Sequence, residues 1–579
     1  MVLPFGVGCL YNSRVFQQFR RVRPAYICAA ALLLGALPAS QAQGISIQVD
    51  ASQDRGPLRP VWSYFGYDEP NFTYMKDGKK LLSELAALSP ATVYVRTHNL
   101  LTTGDGTPAL KWGSTNAYRE DAAGNPRYDW TIIDRIFDTL VERGMKPIAE
   151  IGFMPEAMSV KPQPYQHTWS QDKSYTDIFT GWAYPPKDFD KWRELIYQWA
   201  KHSVDRYGRQ EVESWYWEVW NEPDIGYWRG TPEEYNKLYD YAVDGVKRAL
   251  STAKVGGPHA TGPAGERAGK FLHQFLQHVT RGTNYATGRI GSPIDFVAFH
   301  AKGSPRVVDN HVQMGSDVQL RHIDKGFEII ASYPELKGLP TIIGESDPEG
   351  CAACSVRFNP QNNYRNGTMY PSYTAATFAR KFDLAARHKV NFQGAVTWAF
   401  EFEGQPYFDG YRDLATNGID KPVLNVFRMF GMMGPQRIEA RSSGAIELDA
   451  YLKDGARSKP DIGALASRDD RAVTVMIWNY HEDDLPAPDA EIEMTISGLP
   501  SKRMMMQQYR VDGEHGNSYE AWMKMGSPQA PSEEQYAQLE RAGQLGTVGS
   551  PEWRNPADGK IPLKIRLPRQ GVALIRLGW

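Results

Sequence analysis

The chain has 579 residues, long enough for one large domain of about 250 to 400 residues and a smaller companion, each with its own core. A formal net charge of -2 supplies neither a basic field for nucleic acid nor a polybasic patch for a membrane surface. Aromatic residues make up 12% of the chain, a share that suits stacking on sugar faces and equally a large core.

The first segment concerns address rather than fold. Arg14, Arg20, Arg21 and Arg23 precede an apolar run over residues 25–37, and Ser40-Gln41-Ala42 offers small residues at the positions a signal peptidase reads. This pattern predicts a secretory signal over residues 1–42, cut after Ala42, and an exported protein, periplasmic or secreted. The run is too short for a membrane span, so no membrane contact is expected after cleavage. Arg20-Arg21 leaves the general and the twin-arginine export routes both open.

Just beyond, Ile45, Ile47 and Val49 alternate as in a strand, and residues 43–60 are expected to join a β-domain formed downstream. Eight strand-like apolar runs then alternate with helical patterns. They cover residues 61–65, 92–95, 147–151, 215–220, 253–256, 294–299, 340–343 and 392–398. No glycine-rich dinucleotide fingerprint follows the first run, which favours a (β/α)8 TIM barrel over residues 61–434 against an open doubly wound sheet. Between the runs, Phe189, Trp192, Leu195, Ile196, Trp199, Ala200 and Val204 recur at three and four residues and cover one helix face. Thr231-Pro232-Glu233-Glu234 has a capping Thr, a proline at the first helical position and a Glu three residues after the cap, so it opens another helix. Beyond residue 435 alternation takes over, at Val473, Val475 and Ile477 and at Ile492, Met494 and Ile496. Residues 435–579 read as a β-sandwich.

Removal of the signal leaves two cysteines, Cys351 and Cys354. The lack of a second Cys pair or a nearby His-x-His argues against zinc, and export favours a structural disulfide over a redox dithiol.

Chemistry belongs at the C-terminal ends of barrel strands, where side chains leave the packed interior. The fourth run ends in Asn221-Glu222-Pro223 and the seventh in Gly344-Glu345-Ser346-Asp347. Two carboxylates facing each other across a barrel mouth suit a retaining glycosidase, in which they stand about 5 to 5.5 Å apart. One must hold a proton near neutral pH, which burial and a neighbouring negative charge favour; the other must stay ionised. Glu222, beside Trp220 and Tyr227, suits the first role and Glu345 the second.

The run Trp217-Glu218-Val219-Trp220-Asn221-Glu222-Pro223-Asp224 resembles the acid/base signature of glycoside hydrolase family 39, a retaining family of (β/α)8 barrels. Phe65-Gly66-Tyr67-Asp68, Val95-Arg96-Thr97-His98, Gly144-Met145-Lys146-Pro147 and Tyr509-Arg510-Val511-Asp512 with His515-Gly516-Asn517 resemble further segments of that family. The resemblance implies Glu222 as general acid/base, Glu345 as nucleophile and Asn221 as a partner of the sugar 2-hydroxyl. It also implies His98 and His300 lining the subsite of the released sugar, and Trp398 as a stacking ring. Glu401 and Glu403 follow Trp398 and could reach distal hydroxyls. The implied activity is exo-acting β-xylosidase on xylo-oligosaccharides, with no metal or organic cofactor. Lys302 departs from the tyrosine of many xylosidases in the family and matches the iduronidase pattern. An α-L-iduronidase-like, galactoside or arabinoside specificity therefore stays open, as do an inverting hydrolase and a non-catalytic carbohydrate-binding protein. A homo-oligomer is left open too.

Overall fold

The structure, a computed structural model, describes residues 44–579 apart from 173, 174 and 399, so the expected signal over residues 1–42 lies outside it. Eight parallel strands close a barrel in strict chain order. They are β1 (Tyr64–Tyr67), β2 (Tyr94–Thr97), β3 (Lys146–Ile151), β4 (Tyr216–Val219), β5 (Lys254–Ala260), β6 (Phe296–Lys302), β7 (Thr341–Asp347) and β8 (Phe392–Trp398). Each coincides with an expected run, the first displaced toward the mouth. Val61 and Trp62 lie below β1, where Trp62 stacks on Phe430 at 6.2 Å.

The helices explain why these strands close. Helix α1 (Phe189–Tyr207) is capped by the Asp188 carboxylate, which accepts from the amides of Asp190 and Lys191, and it buries Trp192, Leu195, Ile196 and Trp199. Helix α2 (Pro232–Ala249) opens with a reciprocal box between Thr231 and Glu234 and buries Tyr235, Leu238, Tyr239, Ala242 and Val246. Burial of each large apolar side chain contributes about 1.5–3 kcal/mol, so the buried set of each helix together far outweighs its cap. Tyr235 also donates to the Val219 carbonyl at 2.9 Å, anchoring α2 to the end of β4.

The barrel interior changes character along its axis. At the bottom Tyr64, Tyr94 and Tyr216 pack ring on ring, with centroids 4.8 and 5.2 Å apart. Two residues further along the same strands the inward positions are Gly66, Arg96 and Glu218. A Cβ on Gly66 would lie 2.4 Å from the Trp398 ring, so only glycine lets that indole cross the top of the barrel.

The accessory domain is built on one mixed sheet of nine strands. The strand Ile45–Pro57, third from one edge, pairs antiparallel with Gln436–Ser442 and parallel with Ala490–Ser497. Ile47, Val49, Val473, Val475, Ile477, Ile492, Met494 and Ile496 share its core. Two helices that the alternation did not foretell, Ser518–Lys524 and Glu533–Gly543, return to the barrel. Trp522 and Leu539 pack there on Phe408 and Ile419 of the segment after β8. The His515-Gly516-Asn517 turn supports this return: His515 Nδ1 meets Asp512 at 2.9 Å, and Asn517 caps the first of the two helices through Glu520 N at 3.0 Å.

Candidate active site

Past β4 the chain enters the left-handed region twice, at Trp220 (φ 68°) and Glu222 (φ 42°). Each such residue costs on the order of 1–3 kcal/mol and persists because its surroundings hold it. Trp220 is fully buried, donates Nε1–H to the Tyr227 carbonyl at 2.9 Å and packs edge-on against Phe153 and Trp228. The Glu222 amide donates to the carbonyl of His259 at 3.1 Å. The aromatic run thus fixes the kink that carries Asn221 and Glu222 to the mouth.

There a cavity of about 900 Å³ opens, lined by Asn221, Glu222, Lys302, Glu345 and Trp398, among others. One oxygen of Glu222, one of Glu345 and a ring nitrogen of His300 lie within 4.8 Å of one another. That separation matches a retaining pair and is well short of the roughly 6.5–9.5 Å that an inverting enzyme needs to seat a water. The same three atoms could serve as donors to a metal ion. Two cations already face Glu345, however, since Lys302 Nζ touches its Oε2 and Arg96 Nη1 stands 3.1 Å from its Oε1.

The environments of the two carboxylates diverge. Burial, reinforced by the negative charge of Glu345, pushes Glu222 up to about 8. Burial alone would raise Glu345 as well, but Lys302 first, with the His98 hydrogen bond and Arg96, holds it well below the usual carboxylate range. Near neutral pH the first keeps its proton and the second is ionised. His300 is fully buried, and its desolvation lowers it to about 3; this neutral ring bonds Glu222 Oε1 through Nδ1 at 2.9 Å.

Beneath the pair, Arg96 is the hub. It has no exposed surface. Its Nε donates to Glu218 at 2.5 Å, and its Nη2 donates to Glu150 at 2.9 Å and to Asn221 Oδ1 at 3.0 Å. Only the forked guanidinium can hold three carboxylates and an amide in one plane. The bond to Asn221 also turns that side chain's NH2 group away from Arg96. His98 meets Asp68 through Nδ1 at 2.9 Å and Glu150 through Nε2 at 3.2 Å. Desolvation opposes its charge, but Glu150, Asp68 and Glu345 outweigh it and raise His98 to about 9. Its contact with Arg96 Nη1 at 2.9 Å is then one of two donors drawn to the same carboxylates.

The expected binding residues divide. Asn221, Lys302 and Trp398 line the cavity, whereas His98 and His300 lie behind its wall against the carboxylates. Trp398 is held by its Nε1–H to Asp68 at 3.1 Å, by the His98 ring at 4.4 Å and by Arg96 4.9 Å from its centroid. Glu401 and Glu403 are not among the residues lining the cavity. Buried Glu401 accepts from the Gly418 amide in a turn, and Glu403 accepts from the Asp77 amide at 2.9 Å, satisfying a free N–H in the first turn of the helix Lys76–Ala86. Cys351 and Cys354 are joined in a disulfide on the cavity wall, with Cα atoms 5.5 Å apart. Arg365 secures this loop, donating to the carbonyls of Cys351 at 2.6 Å and Cys354 at 2.8 Å.

Arg96 and Glu218 stand inside the quoted motifs without a role assigned to them, and Glu150 lies outside those motifs. A signal was present, since an ionisable residue in the middle of a short apolar barrel strand must point inward and be paired. Asp347, which bonds Lys302 at 2.9 Å, could have been read from its place two residues after Glu345 on the same strand face.

The family model described as glycosyl hydrolases family 39 matches residues 45–555, and the chain belongs to that family and is a glycoside hydrolase. It is 27% identical over 419 residues to a beta-xylosidase of Caldicellulosiruptor saccharolyticus, covering 71% of this chain and 76% of the relative. It is 24% identical over 570 residues to the alpha-L-iduronidase of Mus musculus, covering 92% of this chain and 80% of the relative. A solved structure described as the bacterial orthologue of human α-L-iduronidase superposes with a TM-score of 0.71 at 19% identity, covering 92% of this chain and 84% of that one. Among the described residues no helix is long and apolar enough to cross a membrane.

Proposed function

We propose that the chain is a retaining, exo-acting β-xylosidase that releases xylose from the non-reducing end of xylo-oligosaccharides. The observation that carries the mechanism is the pair Glu222 and Glu345, whose oxygens lie within 4.8 Å while their environments drive their protonation apart. Glu345 attacks the anomeric carbon as Glu222 delivers its proton to the leaving oxygen. The glycosidic bond breaks and a glycosyl ester forms on Glu345. Esterification removes the negative charge that helps hold the proton on Glu222. Glu222 therefore becomes the better base for the second step, taking a proton from water as the water displaces Glu345. Asn221, with its oxygen committed to Arg96, presents its NH2 group to the sugar 2-hydroxyl, a contact that strengthens as charge develops at the ring.

The choice of a neutral sugar rests on Lys302. Its ammonium already lies between Glu345 and Asp347, two carboxylates it serves before any substrate arrives. A uronate would add a further carboxylate to this field, whereas a pentose hydroxyl accepts from the remaining Lys302 donor without added charge. The same lysine supports a second reading, an α-L-iduronidase-like activity, if substrate binding draws Lys302 off one of its partners. Kinetics on a panel of aryl glycosides containing the β-xyloside, α-iduronide, β-galactoside and α-arabinoside decide between them. The expected result is the highest kcat/KM for the xyloside. Turnover of the iduronide alone would refute the xylosidase reading, and no turnover of any would favour a binding protein. Export after cleavage at Ala42 belongs to the same proposal, and a secreted protein whose first residue is Gln43 would bear it out.

A further inference from the structure

The barrel has a second cleft, at the end opposite the carboxylates. Arg59 precedes β1, Lys337 precedes β7, and Lys389 and Asn391 precede β8, so all four lie at the N-terminal ends of their strands. Arg55 and Arg437 approach from the accessory sheet. Together these residues line a cavity of about 590 Å³ between barrel and sheet, with five cationic side chains and no carboxylate among its lining residues. Cavities between domains are where ligands preferentially bind.

The charge is only partly compensated from outside. Arg55 pairs with Glu439, and Arg437 with Asp383 at 2.7 Å. Arg59 bonds only the neutral Asn391 amide, at 2.5 Å. Among the described residues, no carboxylate pairs with Arg59, Lys337 or Lys389, and all three side chains are exposed. Three cations without a carboxylate partner stand around one cavity, on a chain whose net charge is -2.

Shape narrows the ligand class. Half-buried Phe382 and the exposed Pro57 and Ala386 give the cavity an apolar lining beneath its cations. A neighbouring cavity of about 360 Å³ shares Lys337, Gly338, Lys389, Val390 and Asn391 with it, so the cleft runs on past the lysines. A single small anion would fill neither the length nor the apolar lining. A chain of sugars bearing carboxylates fills both, with carboxylates on the Arg and Lys donors and ring faces on the apolar wall.

We infer that this cleft is a binding site, separate from the catalytic mouth, for a uronate-bearing oligosaccharide. It would hold the enzyme on an acidic polysaccharide whichever sugar the mouth cleaves. The test is isothermal titration calorimetry of the full chain at low ionic strength with trigalacturonate, xylotriose and inorganic phosphate. The comparison protein carries Lys337→Glu and Lys389→Asn, the latter chosen because Lys389 has φ 56° and asparagine tolerates that conformation. Trigalacturonate is expected to bind more tightly than xylotriose or phosphate. The double variant and 1 M NaCl should each weaken it by about tenfold or more, since the attraction is between exposed, screened charges. Turnover of an aryl glycoside by the variant should be unchanged. Equal affinity for xylotriose, equal affinity for phosphate, or undiminished trigalacturonate binding by the variant would each overturn the inference.

Discussion

Replacing Lys302 by methionine should move the whole pH profile rather than merely lower it. The ammonium is the leading attraction holding Glu345 ionised, and it also restrains the proton affinity of Glu222. A full charge at about 4 Å in an effective dielectric near 20 is worth on the order of 4 kcal/mol, which would raise Glu345 by about 3 pH units. Arg96 at 3.1 Å and His98 remain to hold Glu345 down, so its rise is smaller than the loss of a full charge alone would give. The sign follows from the roles. Glu345 must be ionised to attack, so the ascending limb of kcat/KM moves to higher pH. Glu222 must be protonated to donate, and loss of the same cation raises it above about 8, so the descending limb moves up too. The assay is kcat/KM for an aryl β-xyloside from pH 3 to 10, with methionine keeping the packing of the lysine stem. A uniform drop with both limbs in place would refute the electrostatic role given to Lys302.

Glu222→Ala should lower kcat on an unactivated aryl glycoside by about 10²–10⁴-fold and erase the descending limb near pH 8, while on a dinitrophenyl glycoside, whose leaving group needs no proton, added azide restores turnover by replacing the water that Glu222 would activate. Arg96→Met leaves Glu218 and Glu345 without a central cation in a fully buried site, and should cost about 3–5 kcal/mol in denaturant unfolding. Asn221→Ala should lose much of its penalty when the substrate lacks a 2-hydroxyl, which paired kinetics on xyloside and 2-deoxyxyloside would reveal. Dialysis against a chelator should leave kcat/KM within about twofold, because Lys302 and Arg96 already neutralise Glu345 where an ion would have to sit.

The barrel was readable because its strands are short apolar runs and its helices carry their caps in local sequence, as at Asp188 and Thr231. Glu222 and Glu345 were readable because they stand at the ends of such runs. What local sequence could not convey was direction. Glu401 and Glu403 follow Trp398 closely, yet they bond the Gly418 and Asp77 amides, which come from distant segments, and are not among the residues lining the cavity. The same holds for the helices Ser518–Lys524 and Glu533–Gly543, whose apolar side is explained only by Phe408 and Ile419 on the barrel. Arg96 is the clearest case. Its partners come from β3, β4 and β7, so its role exists only once the barrel has closed.

If Glu345 is the nucleophile it becomes covalently bonded to sugar, and mass spectrometry after trapping detects that bond. The protein is incubated with 2-deoxy-2-fluoro-β-xylosyl fluoride, digested, and the labelled peptide sequenced. The expected result is time-dependent inactivation and one fluoroxylosyl ester, on Glu345. A label on another carboxylate, or no label together with an inverted first-formed anomer by NMR on a cleaved xyloside, would contradict it.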